Sequence, residues 1–220
     1  MSVLWVPDSE LDKLHPLPEA LLMAMGAIGQ PSARGHLAHT LVKSRLAPQA
    51  EPWIRNPAAM TPLLDLLKGA GLAQEANKGF WTLTQGARER VCRRAHRQGH
   101  LRALAAAGQT AYGSGQVLLD GLGRDLAALR LAFLEGTTEE WVAAQDRVRQ
   151  NHGSALRLRD PLALICGEPF DAAWFETLPP ALQSHAAWAL LHDQVVHGVP
   201  NPSFRKWLHD RSRGKRSPLG

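Results

Sequence analysis

The stretch Thr61–Val91, TPLLDLLKGAGLAQEANKGFWTLTQGARERV, decides the fold. With Met60 just ahead of it, it places Leu63, Leu64 and Leu67 on the inner side of a helix. Thr61, Asp65 and Lys68 fall on the other side, and Gly69 and Gly71 stop the helix. A short strand follows, then Asn77-Lys78-Gly79, residues that tolerate positive φ and reverse the chain tightly. The second strand returns Phe80 and Leu83 to the core and leaves Trp81 and Thr82 nearer the outside. Thr84 then caps a helix that carries Arg88, Arg90, Arg93, Arg94 and Arg97.

Upstream, Pro18-Glu19 opens a helix to Ile28 with Leu21, Leu22, Met25 and Ile28 on one face, and Gly29-Gln30-Pro31 ends it. Ser32 stands as the N-cap of a second helix through Leu37, Leu41 and Val42. Pro48 and the segment AEPWIRNP connect to the third, which Asn56-Pro57 caps and starts. Three helices, a hairpin and a basic helix in this order resemble a winged helix-turn-helix. The step Leu83-Thr84-Gln85-Gly86 is similar to one found in many bacterial winged-helix sequences, and the resemblance spans residues 17–98.

That resemblance implies a third helix in the major groove of DNA, with Arg55, Asn56, Met60 and Thr61 facing the groove. It implies a wing, Asn77 and Lys78, at a phosphate or the minor groove, and a phosphate-contacting role for Arg88, Arg90, Arg93, Arg94 and Arg97. Long arginines also simply solvate an exposed face. The third helix has no Arg, Gln or Asn after Asn56, and base readout relies on such groups. The implied outcome is either weak sequence specificity or a winged helix turned to protein docking.

From Leu101 the texture becomes Ala- and Leu-rich. Leu126, Leu129, Leu131 and Leu134 share a helix that ends at Glu135-Gly136, and Thr137-Thr138-Glu139-Glu140 opens the next, with Trp141, Val142 and Val148. Phe170 to Thr177 and a helix opened by Pro179-Pro180, through Leu182, Trp188, Leu191 and Val195, form a further pairing. The fold class expected is therefore mainly α: a winged helix-turn-helix domain over 1–102, an all-α helical-hairpin domain over 103–200 and a basic tail over 201–220. Helical-hairpin surfaces mostly bind proteins. The segment PFDAAWFETLPPALQSHAAWALL faintly resembles the N-terminal accessory region of large bacterial Swi/Snf-type helicases, which implies an accessory role beside a partner ATPase or helicase.

The net charge of +5 hides an asymmetry. Residues 1–102 hold 13 Lys/Arg against 8 Asp/Glu, residues 103–200 hold 6 against 11, and the last twenty hold 6 against 1. Basic ends favour a polyanionic partner, because each neutralised phosphate releases counterions. Hydrophobic content of 45% and a mean hydropathy of -0.22 are ordinary for a globular protein. Cys92 and Cys166 lie far apart, which favours a reduced, cytoplasmic setting. The first residues do not read as a signal peptide, and no apolar run reaches the ~20 residues of a membrane span.

Cys92, His96 and His100 share a helical face at zinc-ligand spacing, but a fourth ligand is missing and the surrounding arginines oppose a cation. Gly113-Ser114-Gly115 lacks the Lys-Ser/Thr of a phosphate loop. His185, His192 and His197 have no nucleophile at a fixed spacing, and Tyr112 has no recombinase-like surroundings. The tail from Phe204 to Arg216 interleaves cations with two aromatics, a pattern that binds nucleic acid non-specifically or docks on an acidic patch. The expectation is a non-enzymatic DNA-binding accessory protein, without cofactor or metal, that also holds a protein partner. An interaction scaffold, a dimeric regulator and RNA binding are the alternatives.

Overall fold

The computed structural model describes Leu11 and residues 14–111, 121–157 and 159–214. Among these the chain is mainly helical, with twelve α-helices and a three-stranded antiparallel sheet. It divides into two compact units, 1–144 and 145–220. The division expected at 102/103 lies elsewhere because the helices after residue 100 pack on the first helix and share its core.

Unit 1 is built around α1 (Pro16–Ile28). Its run LLMAMGAI is apolar all round, so it buries on every side, and Leu21 through Met25 are at most 2% exposed. There follow β1 (Ser32–Ala33), α2 (Arg34–Lys43), α3 (Glu51–Arg55), a 3₁₀ turn (Pro57–Met60) and α4 (Thr61–Gly69). Then come β2 (Ala73–Asn77), β3 (Phe80–Leu83), α5 (Gln85–Arg97), α6 (Leu101–Thr110), α7 (Gly121–Glu135) and α8 (Thr138–His152), whose second half belongs to unit 2. Helices α2, α5, α6 and α7 and strand β3 all pack on α1. Gly29, at φ +73°, ends α1 in a left-handed cap, and a Cβ there would stand 2.5 Å from the Cβ of Ala127 on α7.

The strand order is β1-β3-β2. Ser32 does not cap α2 as expected; it pairs with Trp81 across β1 and β3, and α2 begins at Arg34. Trp81 also reverses its expected side. Side chains alternate along a strand, so Trp81 shares a face with Leu83, and the two are 2% and 1% exposed. Thr82 is buried as well, whereas Phe80 is half-buried. The hairpin turn is held locally: Asn77 Oδ1 accepts from the Lys78 amide at 2.8 Å and Glu75 Oε1 from the Gly79 amide at 2.7 Å. Thr84 occupies the N-cap position of α5, but its hydroxyl donates to the Gly71 carbonyl at 2.9 Å.

Helix α5 is held to α7 by a buried ion pair. Arg130 Nε donates to both Glu89 oxygens at 2.7 and 2.9 Å, and its Nη2 lies 2.6 Å from Oε1. The two side chains are 4% and 6% exposed. Burial alone lowers the guanidinium pKa, but the adjacent Glu89 carboxylate more than offsets this and holds it above its usual value. Between α7 and α8, Thr137 and Glu140 form a reciprocal capping box: the Thr137 amide donates to Glu140 Oε2 at 2.8 Å, and the Glu140 amide to Thr137 Oγ1 at 3.3 Å.

Unit 2 contains α9 (Pro161–Gly167), α10 (Ala172–Thr177), α11 (Pro180–His197) and α12 (Pro202–Ser212), with α9 packed on α11 and α10 on α12. Phe170, Phe175, Phe204 and Trp207 form one aromatic cluster with ring centroids 5.1 to 6.5 Å apart. Arg159 clamps Asp193 of α11 with two bonds, at 2.8 and 2.9 Å, and Glu168 at 2.8 Å. No helix among the described residues is long and apolar enough to cross a membrane.

Removing one partner of a buried pair strands a charge, so Glu89→Gln and Arg130→Met are each expected to cost about 3–5 kcal/mol in urea unfolding. The double substitution Glu89→Met/Arg130→Met should recover most of that loss. Additive losses would show that the pair is not the α5–α7 tie.

Candidate nucleic-acid interface

The structure splits the expected contact residues into two groups. Five remain on the surface around α3, α4 and the hairpin: Arg55, Asn56, Asn77 and Lys78 are exposed and Thr61 is half-buried. Arg55 lies 4.0 Å from Glu51 one turn earlier, with both side chains in solvent, so that pair holds it weakly. Met60 is fully buried beneath α4 and cannot reach a groove. On α4 itself Leu64 and Leu67 are buried, and the outward face presents Pro62, Asp65, Leu66 and Lys68, with Leu66 53% exposed.

The basic helix is turned inward. Arg90 and Arg93 are 8% and 3% exposed and engaged within the unit, so they are not phosphate contacts. Arg88 is half-buried, with Nη2 donating to Thr82 Oγ1 at 3.1 Å. Arg94 is bonded to Glu19 of α1, which also accepts from Gln98 at 3.0 Å. Of the five α5 arginines only Arg97 is exposed. The physical reason is packing: α5 lies on both α1 and α7, and little of its circumference is left for solvent.

The Cys92 face brings no metal-ligand set together among the described residues. Cys92 is 1% exposed, and burial, reinforced by the Glu89 carboxylate, pushes its thiol up to about 12 against the opposing arginines. His96 Nδ1 is 3.2 Å from Glu135 Oε1 on α7, which also binds Arg102. Among the described residues no group of three His, Cys, Asp or Glu could hold a metal ion. Tyr112 and Gly113-Ser114-Gly115 lie outside the described residues.

Two surfaces of unit 2 stand outside the expected contact set. On α11 the residues opposite the buried Ala186, Ala189, Leu190 and Asp193 are apolar and open: Trp188 is 59% exposed, Leu191 38% and Val195 81%, and Val196 at the helix end is 60% exposed. Beside them a cleft of ≈ 240 Å³ is lined by Arg149, Leu156, Arg159, Asp160, Trp188 and His192. The rings of Trp188 and His192 stack at 5.1 Å, and His197 meets His192 edge-on at 5.6 Å. On α12 the aromatics of the basic tail, Phe204 and Trp207, are committed to the core cluster, so they are not stacking platforms for bases. The signal for both surfaces was the helical period of each segment taken with its charge.

A thiol this buried should not react with Ellman's reagent in the native protein at pH 8. Cys166, also fully buried, should behave alike, and both thiols should titrate only in denaturant. Reaction of a native thiol, or its protection by zinc, would reopen the metal reading. No family model, curated protein or solved structure was found to match the chain.

Proposed function

We propose that the chain is a non-enzymatic accessory protein that holds a protein partner on α11, with unit 1 a winged helix serving as framework and docking module. The open face of α11 is the observation that carries this reading. Trp188, Leu191 and Val195 recur at i, i+3 and i+7 on an 18-residue helix, with Val196 beside them. Exposed apolar groups in such a row are the pattern that receives an amphipathic helix. The single carboxylate of α11, Asp193, is buried and bound to Arg159, while His185 and His192 border the row. The occupant is therefore an amphipathic helix with acidic flanks, one large side chain of which enters the cleft beside Trp188.

For unit 1, the order helix, strand, three helices and hairpin, with the short α3 between the two longer helices and sheet order β1-β3-β2, supports the winged-helix assignment. The outward face of α4, with Pro62, Asp65 and Leu66, supports docking over base readout, since it lacks the planar donors that read base edges. The helicase resemblance makes an ATPase the first partner to try. A crosslinking phenylalanine derivative at Val195 should yield one discrete adduct on an amphipathic, acid-flanked helix, lost with Leu191→Asp. An adduct pattern equal to that from exposed Gln150 would end the reading.

A second reading, weakly specific duplex binding through Arg55, Asn56, Thr61, Asn77 and Lys78, is favoured by one observation. The Lys78 ammonium stands exposed at the wing tip, bound to no carboxylate among the described residues. Arg55→Gln/Lys78→Gln should then flatten the salt dependence of duplex binding by about two phosphate contacts, a log–log slope change of ~1.8. An unchanged slope removes this reading and leaves the scaffold standing.

A further inference from the structure

In unit 2 exposed cations recur along α12, while Arg147 and Arg157 stand exposed elsewhere in the unit. Arg205, His209 and Arg213 follow one another at i, i+4 and i+8, with Lys206 alongside, and all four are exposed. Successive turns set these groups ~6 Å apart along the axis. The opposite side of the helix is fixed: Phe204 is fully buried, and Trp207 donates its Nε1 proton to Glu176 at 2.9 Å. Arg211 belongs to that opposite side, its guanidinium 5.3 Å from the Trp207 ring centroid.

Elsewhere in the chain arginines are commonly neutralised, as Arg94 is by Glu19, Arg130 by Glu89 and Arg159 by Asp193. Among the described residues Arg205, Lys206 and Arg213 have no carboxylate partner. Asp210, the one acid of the helix, sits 3.7 Å from His209. In sequence the stripe runs straight into Lys215 and Arg216.

We infer that α12 is a nucleic-acid backbone-binding surface, with Arg205, Lys206 and Arg213 as its phosphate contacts. A phosphodiester backbone asks only for cations in a row. A protein partner would also need apolar anchors, and α12 offers none because its aromatics are in the core. The surface is distinct from the wing and from α11, so it stands or falls independently of both readings above. It reads charge and not sequence, and it places nucleic-acid contact in unit 2 instead of on the basic helix α5.

The test is fluorescence anisotropy of the full chain with a labelled 30-base-pair DNA duplex, and separately a 30-nucleotide RNA, across a salt series. Arg205→Gln/Lys206→Gln/Arg213→Gln should reduce the log–log salt slope by ~2.7 on duplex or ~2.1 on the single strand, which tells the two sources of phosphate apart. Arg205→Lys/Arg213→Lys should bind like the parent, because point charges suffice. The substituted side chains are all exposed, and an unchanged thermal melt confirms that folding is intact. Absence of binding at low salt, an unchanged slope in the triple variant, or equal competition by polyglutamate would each overturn the assignment.

Discussion

Unit 1 depends on the complete burial of α1. A helix apolar around its whole circumference has no face to offer water, so the chain must supply neighbours on every side. Helices α2, α5, α6 and α7 and strand β3 do so. The requirement overrides the character of α5, whose sequence reads as a solvent-facing basic helix. Once α5 is committed to both α1 and α7, its charged groups enter a poorly hydrated interior, where each needs a partner. Glu89 with Arg130, and Glu19 with Arg94, are the consequences.

This neutralisation redraws the electrostatics. The excess of cations over residues 1–102 suggests a basic face, but much of it is spent inside unit 1. Charge that is buried and paired neither attracts a polyanion at distance nor releases counterions on contact. The positive groups left in water are scattered over unit 1, Arg55, Lys78 and Arg97 among them, and form a row on α12 in unit 2. A block count along the sequence weighs every arginine equally; the fold does not.

The parts legible in the sequence are those set by local chemistry. The hairpin was readable because Asn77 and Gly79 suit its turn, and the α7–α8 junction because Thr137 and Glu140 lie at capping-box spacing. Harder to read were pairings made at long range: Arg130 meets Glu89 across 41 positions and Arg94 meets Glu19 across 75. No periodicity announces such partners. The side taken by Trp81 was readable in principle, since strict alternation links it to Leu83, but the bulk of Phe80 next to it pointed the other way. On α11 the sequence shows apolar residues on nearly all sides, and only the packing of α9 reveals which of them stay open.

In unit 2 each open surface is backed by its own buried anchor. The apolar row of α11 stands over Asp193, which Arg159 grips with two bonds while also holding Glu168. The stripe on α12 stands over Phe204 and Trp207, locked among Phe170 and Phe175. A cation row fixed in this way loses little backbone entropy when it meets a polyanion, unlike the same residues on a loose tail. A partner helix on α11 likewise meets a preformed face. Because different buried groups hold the two surfaces, a substitution that erodes one need not disturb the other. Partner docking and backbone binding are then separable properties of one small unit.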